Sequence, residues 1–159
     1  MVESRRISRG AFTLIELMIV LAIGVVLAAI AAPRYSASLN RYRADGAARR
    51  LAADLNLARS TAKATSATCT VSFLGKPDTY EILGMAAPDG GGGGYVVVLS
   101  AEPYKATIKG ITFTDSIADN TLKLNGYGDA DSGVSITITV RGIERTVTLN
   151  AGNGVVTVQ

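Results

Sequence analysis

Glu16 is the residue with the most chemical consequence in this 159-residue chain. It is a carboxylate set inside an otherwise apolar run from Phe12 to Ala32, and an unpaired charge in such surroundings costs enough to point to a task. Other groups with chemical potential are few. The chain has no histidine and one cysteine, Cys69. That removes the usual general base, the Ser-His and Cys-His nucleophile pairs, the commonest zinc ligand and any intramolecular disulfide. Paired carboxylates or a Ser-Lys pair are the routes left to an enzyme, and catalysis is not expected. Gly90 to Gly94 form a five-glycine run, but no Lys-Ser or Lys-Thr follows it, so it reads as an inter-strand loop and not a phosphate cradle. Asp129 and Asp131 sit in a Gly-rich turn with Gly133 where a third oxygen ligand would be wanted, which reads as a plain turn and not a calcium site. No metal, cofactor or catalytic residue is expected.

The elements that position Glu16 come next. The apolar run meets the length of about 20 residues that a bilayer-spanning helix needs. Arg5, Arg6 and Arg9 precede it, which should hold the leader on the cytoplasmic side and send the rest across. Three readings compete: a secretory signal peptide cleaved among the alanines near Ala28 to Ala32, a permanent anchor, and a processed assembly helix. Glu16 within the run argues against the signal peptide, as does helical periodicity that continues past Pro33. Beyond that proline, Leu39, Tyr42, Ala48, Leu51, Leu55, Ala58 and Ala62 recur mostly three or four apart, one apolar stripe on a helix. Pro33 removes a backbone hydrogen bond and should kink the helix without ending it. Phe12 to about Thr65 would extend roughly 80 Å.

Charge is unevenly divided. The first eleven residues carry +2, and Arg34 to Lys63 hold seven basic residues against Asp45 and Asp54, or +5. From Thr65 onward six basic residues face nine acidic ones, or −3, and Glu16 brings the total to +3. The basic excess of the helix reads as a solvated face or a partner surface. The acidic remainder is a poor general grip for nucleic acid.

From Thr68 the period switches to two. Cys69, Val71 and Phe73 share a face, which makes Cys69 a buried small hydrophobe and not a reactive thiol. Further strands are expected at 79–83, 95–100, 107–113, 121–124, 134–140, 145–149 and 154–158, with turns at Gly142 and at Asn153-Gly154. A one-striped helix beside short antiparallel strands gives an α+β domain with the helix packed on an antiparallel sheet.

Residues 9 to 22, RGAFTLIELMIVLA, resemble the class III signal of type IV prepilins and type II secretion pseudopilins. The resemblance implies a pilin-like fold and cleavage by prepilin peptidase just before the Phe, followed by N-methylation of the new terminus. That family usually places Gly before the Phe; here Ala11 stands there, with Gly10 one place earlier. Cutting between Ala11 and Phe12, the reading preferred, keeps Glu16 four residues after the new terminus and Pro33 at the family's kink position. Cutting after Gly10 shifts both by one. Glu16 of one subunit would then meet the freed Phe12 amine of its neighbour in a helical stack. The segment Leu51 to Phe73 and the tail Leu149 to Val158 resemble minor pilins and pseudopilins of the GspH/FimT type. Some FimT-like members contact DNA through arginines in that tail; here Val155 and Val156 stand instead, and DNA binding is not expected.

The expected organisation is a cleaved leader (1–11), a transmembrane and assembly helix (12–33), an amphipathic helix (34–66) and a β-rich domain (67–159). The expected role is a structural subunit of a type IV pilus or type II secretion pseudopilus, anchored once in the bacterial inner membrane with its C-terminal domain periplasmic. The implied partners are prepilin peptidase, other pilin or pseudopilin subunits, the inner-membrane assembly platform with its ATPase, and the lipid bilayer. The rival readings are a pilus-tip binding subunit and a secreted enzyme behind an ordinary signal peptide.

Overall fold

The computed structural model describes residues 12–73, 76–86, 94–115 and 120–159. It divides into two units, one ending at Ser38 and one comprising Leu39–Gln159. One helix, α1 (Leu14–Thr65), runs through both, with Pro33 inside it. In the second unit α1 is followed by eight strands: β1 (Cys69–Ser72), β2 (Thr79–Ala86), β3 (Gly94–Val98), β4 (Thr107–Phe113), β5 (Thr121–Leu124), β6 (Val134–Val140), β7 (Ile143–Leu149) and β8 (Val156–Val158).

The fold is α+β, as the periodicities imply, but the strands form two sheets where one was expected. Each sheet is antiparallel and four-stranded, in the orders β3-β2-β1-β5 and β4-β6-β7-β8. The chain leaves the first sheet for β4, returns for β5 to pair with β1, and leaves again. A strand with one apolar face suits either sheet, so its pairing is a non-local choice. Local turn chemistry is clearer. Val140 pairs with Ile143 across the two-residue turn Arg141-Gly142, where both residues have positive φ, 48° and 86°. That is the twist-matched hairpin geometry that glycine favours at the second position. In β6, Val134, Ile136, Ile138 and Val140 are buried while Ser135, Thr137 and Thr139 are half-buried.

Both sheets and α1 share one core, with Ala44, Ala47, Ala48, Leu51, Leu55, Ala58 and Ala62 buried on the helix. Tyr42, expected in that stripe, is instead 76% exposed. It lies nine residues before Leu51, about two and a half turns, which places it on the opposite side of the helix. The alanines that replace it leave room for a close approach of backbone to sheet. Cys69 is buried, its Sγ donating to the Leu83 carbonyl at 3.3 Å, and burial pushes its thiol pKa up.

Three arginines of the basic helix face are used within the domain, which corrects the reading of that face as wholly solvated or partner-facing. Arg59 donates to the carbonyls of Gly128 (2.8 Å), Gly154 (2.9 Å) and Asn153 (3.2 Å). It thereby ties the loop after β5 and the turn before β8 to the helix. Gly154 is needed there: its φ is +62°, and a Cβ would fall 2.3 Å from the Arg59 guanidinium carbon. Arg43 pairs with Glu102 at 3.6 Å.

Arg50 belongs to a buried polar cluster. The carboxylate of Asp54, 4% exposed, accepts from Tyr80 Oη of β2 (2.5 Å), Tyr95 Oη of β3 (2.7 Å) and Arg50 Nε (3.0 Å). Arg50 Nη2 donates to Tyr95 Oη at 2.7 Å. A carboxylate can be buried only when its lone pairs are met, and here three donors meet them. Burial, reinforced by the hydrogen bond to the Asp54 carboxylate, raises both phenols; Tyr95 is pushed up to about 12 and Tyr80 is raised as well. Phenols whose folded pKa exceeds their ordinary value near 10 contribute stability that is intact below that value and lost as pH climbs through the folded one. Urea unfolding of the full chain in detergent should therefore show stability falling between about pH 10 and 12. Tyr80→Phe should lower the stability at neutral pH by about 1–3 kcal/mol, because it strips a donor from a buried carboxylate, and should flatten the alkaline decline. An unchanged midpoint at neutral pH would show that the cluster holds nothing together.

Candidate assembly surface

The first unit begins with its own start signal. Thr13 Oγ1 accepts the backbone N–H of Glu16 at 3.3 Å, and the Thr13 carbonyl accepts Leu17 N–H at 3.1 Å. Thr13 is thus the N-cap of α1, and Thr-Leu-Ile-Glu has the spacing of a capping box. The sequence carries that Thr-x-x-Glu signal, yet the reading above singled out only Glu16. Capping places Glu16 in the first turn, where the positive end of the helix dipole favours an acid.

Every residue from Phe12 to Ser38 is exposed. Between Phe12 and Ile30, thirteen large apolar side chains stand open, from Leu14 at 78% to Ile19 at 53%. Burying one such side chain is worth about 1.5–3 kcal/mol, so leaving them all in water forgoes an amount on the order of tens of kcal/mol. That exceeds the roughly 5–15 kcal/mol by which domains are usually stable. The segment therefore needs lipid or other helices around it, and it is long and apolar enough to cross a membrane. Among the described residues the Glu16 carboxylate has no cation or hydrogen-bond donor.

The other predicted positions fall as follows. Gly10 and Ala11 lie outside the described residues. Phe12 precedes α1 by two residues, and Pro33 lies within it, with Ser36 Oγ donating to the Pro33 carbonyl at 2.9 Å. Asp129 and Asp131 sit in backbone-bonded turns: Asp129 N–H donates to Asn125 Oδ1 at 2.9 Å, and Asp131 Oδ1 accepts Lys123 N–H at 3.0 Å. Of the glycine run, Gly94 alone is described, as the first residue of β3. Thr13→Ala should remove the cap at a cost of about 1 kcal/mol to the first turn. Faster amide exchange at Glu16 in micelles, with exchange near Leu51 unchanged, is the expected signature; equal protection of Glu16 in both proteins would refute the cap.

Residues 6–32 match the model of the prokaryotic N-terminal methylation motif, and residues 47–157 match that of the type II transport protein GspH. Two solved structures share the fold, both of the type IV minor pilin FimU of Pseudomonas aeruginosa strain PAO1. The P21 crystal form is 17% identical with a TM-score of 0.54, covering 75% of this chain and 90% of that one. The P65 form is 16% identical with a TM-score of 0.51, covering 72% and 91%. No curated protein matches the chain. A methylation motif at the head of an exposed apolar helix, a GspH match over more than two-thirds of the sequence and a minor-pilin fold agree: the chain belongs to the GspH family and is a structural subunit of pilin or pseudopilin type.

Proposed function

We propose that this subunit is made as a precursor in the bacterial inner membrane, freed of its leader before Phe12, N-methylated there, and built into a short pilus or pseudopilus through α1. The observation that carries the reading is the exposed apolar stretch of α1 at the methylation motif. The basic leader faces the cytoplasm, where prepilin peptidase acts, and the β domain faces the periplasm. An assembly platform and its ATPase draw the subunit from the bilayer, and neighbouring helices replace lipid around residues 12–33. Pro33 relieves the helix where it leaves that packed layer.

Glu16 sets the register. Within a stack of apolar helices a lone carboxylate is costly, and the amine released at Phe12 of an adjacent copy neutralises it. The favoured stagger is the one that brings those two charges together. The chemistry of the subunit is assembly, and no residue is assigned a catalytic role. A tip subunit that grips DNA is less well supported, because Val155 and Val156 occupy the tail and residues from Thr65 onward carry a net negative charge.

Two measurements test this. The intact mass of the protein from membranes should correspond to a chain starting at Phe12 with one added methyl group; a start at Ala11 would overturn the cleavage assignment, and a retained leader the assembly model. Glu16→Ala should reduce filament incorporation by at least about tenfold, since breaking one side of a buried charge pair costs about 3–5 kcal/mol. Wild-type incorporation by that variant would remove the register role.

A further inference from the structure

Arg34 is a cation that the fold leaves unspent at the end of the apolar run. It is exposed, and unlike Arg43, Arg50 and Arg59 it makes no ion pair or hydrogen bond among the described residues. Tyr35 beside it is 72% exposed, and its hydroxyl meets no described group. The Ser36 hydroxyl is turned back to the Pro33 carbonyl at 2.9 Å. Both Arg34 and Tyr35 belong to the first unit, which ends at Ser38.

The spacing of charges along α1 gives these two side chains a place. Leu17 to Pro33, the whole stretch between Glu16 and Arg34, is free of charge. At about 1.5 Å of rise per residue, Leu14 at the start of the helix lies about 30 Å from Arg34, and Glu16 about 27 Å from it. The hydrocarbon layer of a bilayer is about 30 Å thick. The helix therefore begins at one edge of that layer when Arg34 stands at the other. Sliding the chain by a turn, about 5 Å, draws either Arg34 or Glu16 deeper into hydrocarbon, and both shifts are penalised.

The edge of the hydrocarbon is where glycerophospholipids carry their phosphodiesters. A guanidinium presents paired N–H donors that match phosphate oxygens, and its aliphatic stem can lie along acyl chains while the head reaches outward. Tyrosine suits the same level, with its ring against the acyl boundary and its hydroxyl among the headgroups.

We propose that Arg34 and Tyr35 form a lipid-headgroup clamp. Arg34 holds the phosphodiester of a glycerophospholipid in the leaflet far from the leader, and Tyr35 seats beside it. The clamp fixes the depth of α1 in the bilayer. Phe12 and Thr13, ahead of the helix, then emerge at the opposite face, where the bond before Phe12 is open to a peptidase. Glu16 rests within side-chain reach of the headgroups there, so its carboxylate stays hydrated until assembly. The inference rests on the membrane-anchoring reading and adds to it a ligand and a depth.

The test uses the full chain reconstituted in vesicles of phosphatidylethanolamine and phosphatidylglycerol. With arginines 13C-labelled at Cζ, coupling to lipid phosphorus should dephase part of the guanidinium signal, and Arg34→Lys should remove part of that dephased intensity. The chain has no tryptophan, so Tyr35→Trp adds a single emitter whose depth is read by quenching with lipids brominated at different positions along their chains. It should lie at the hydrocarbon edge. Adding Arg34→Leu extends the charge-free stretch to Arg41 and moves its midpoint by about three and a half residues, so the emitter should sink by about 5 Å; Arg34→Lys should hold it in place. Dephasing that Arg34→Lys leaves unchanged, or an emitter that Arg34→Leu does not move, would overturn the clamp, and resistance of the same chain to alkaline extraction would leave membrane anchoring standing. A chain that alkaline carbonate strips from the vesicles would refute both.

Discussion

Carboxylates placed where water is scarce organise this chain, and it holds two of them in contrasting states. Asp54 is buried and fully served by Tyr80, Tyr95 and Arg50 of its own domain. Glu16 stands on an apolar helix with only the backbone cap of Thr13 beside it. The desolvation cost of Asp54 is met by folding. Glu16 is exposed and has no cation or side-chain donor among the described residues, and in the proposed assembly a neighbouring copy supplies one. That difference separates a part of the chain that is complete as a domain from a part that requires an environment.

The division of charge follows the same logic. Arg50 and Arg59 look like surface cations in a list of residues, yet one serves Asp54 and the other gathers three backbone carbonyls from two loops. A planar guanidinium with several donors suits such multiple contacts better than a lysine would. Once these and Arg43 are assigned internally, the basic character of the helix that remains available to partners narrows to a few side chains. Net charge along a segment is therefore a poor guide to what a surface presents, because ion pairs and carbonyl contacts consume much of it before any partner arrives.

Alternation in β6 and the heptad-like recurrence of Leu51, Leu55, Ala58 and Ala62 correspond closely to the observed burial. Tyr42 shows where such reading fails. It is apolar in composition and near the right spacing, but small errors in phase accumulate over nine residues until an outward position is mistaken for an inward one. Asp54 fails in the opposite sense. A charged residue on a helix reads as solvent-facing, and its burial depends on hydroxyls from strands 26 and 41 residues away. Thr13 carries a local signal, since its partner lies three residues along, yet it was passed over on sequence alone.

By itself the sequence determined the apolar helix, its cap, the position of Glu16, and the existence and approximate limits of the strands, because each of these is governed by residues within a turn or two of one another. The motif RGAFTLIEL is local in the same way, and so the family was legible from it. Only the tertiary structure decided that eight strands divide into two sheets with β5 returning to β1, that Arg59 closes two loops, and that Asp54 lies inside. Those outcomes turn on contacts between residues distant in the chain, where several pairings satisfy the same local pattern and packing of the whole core selects among them.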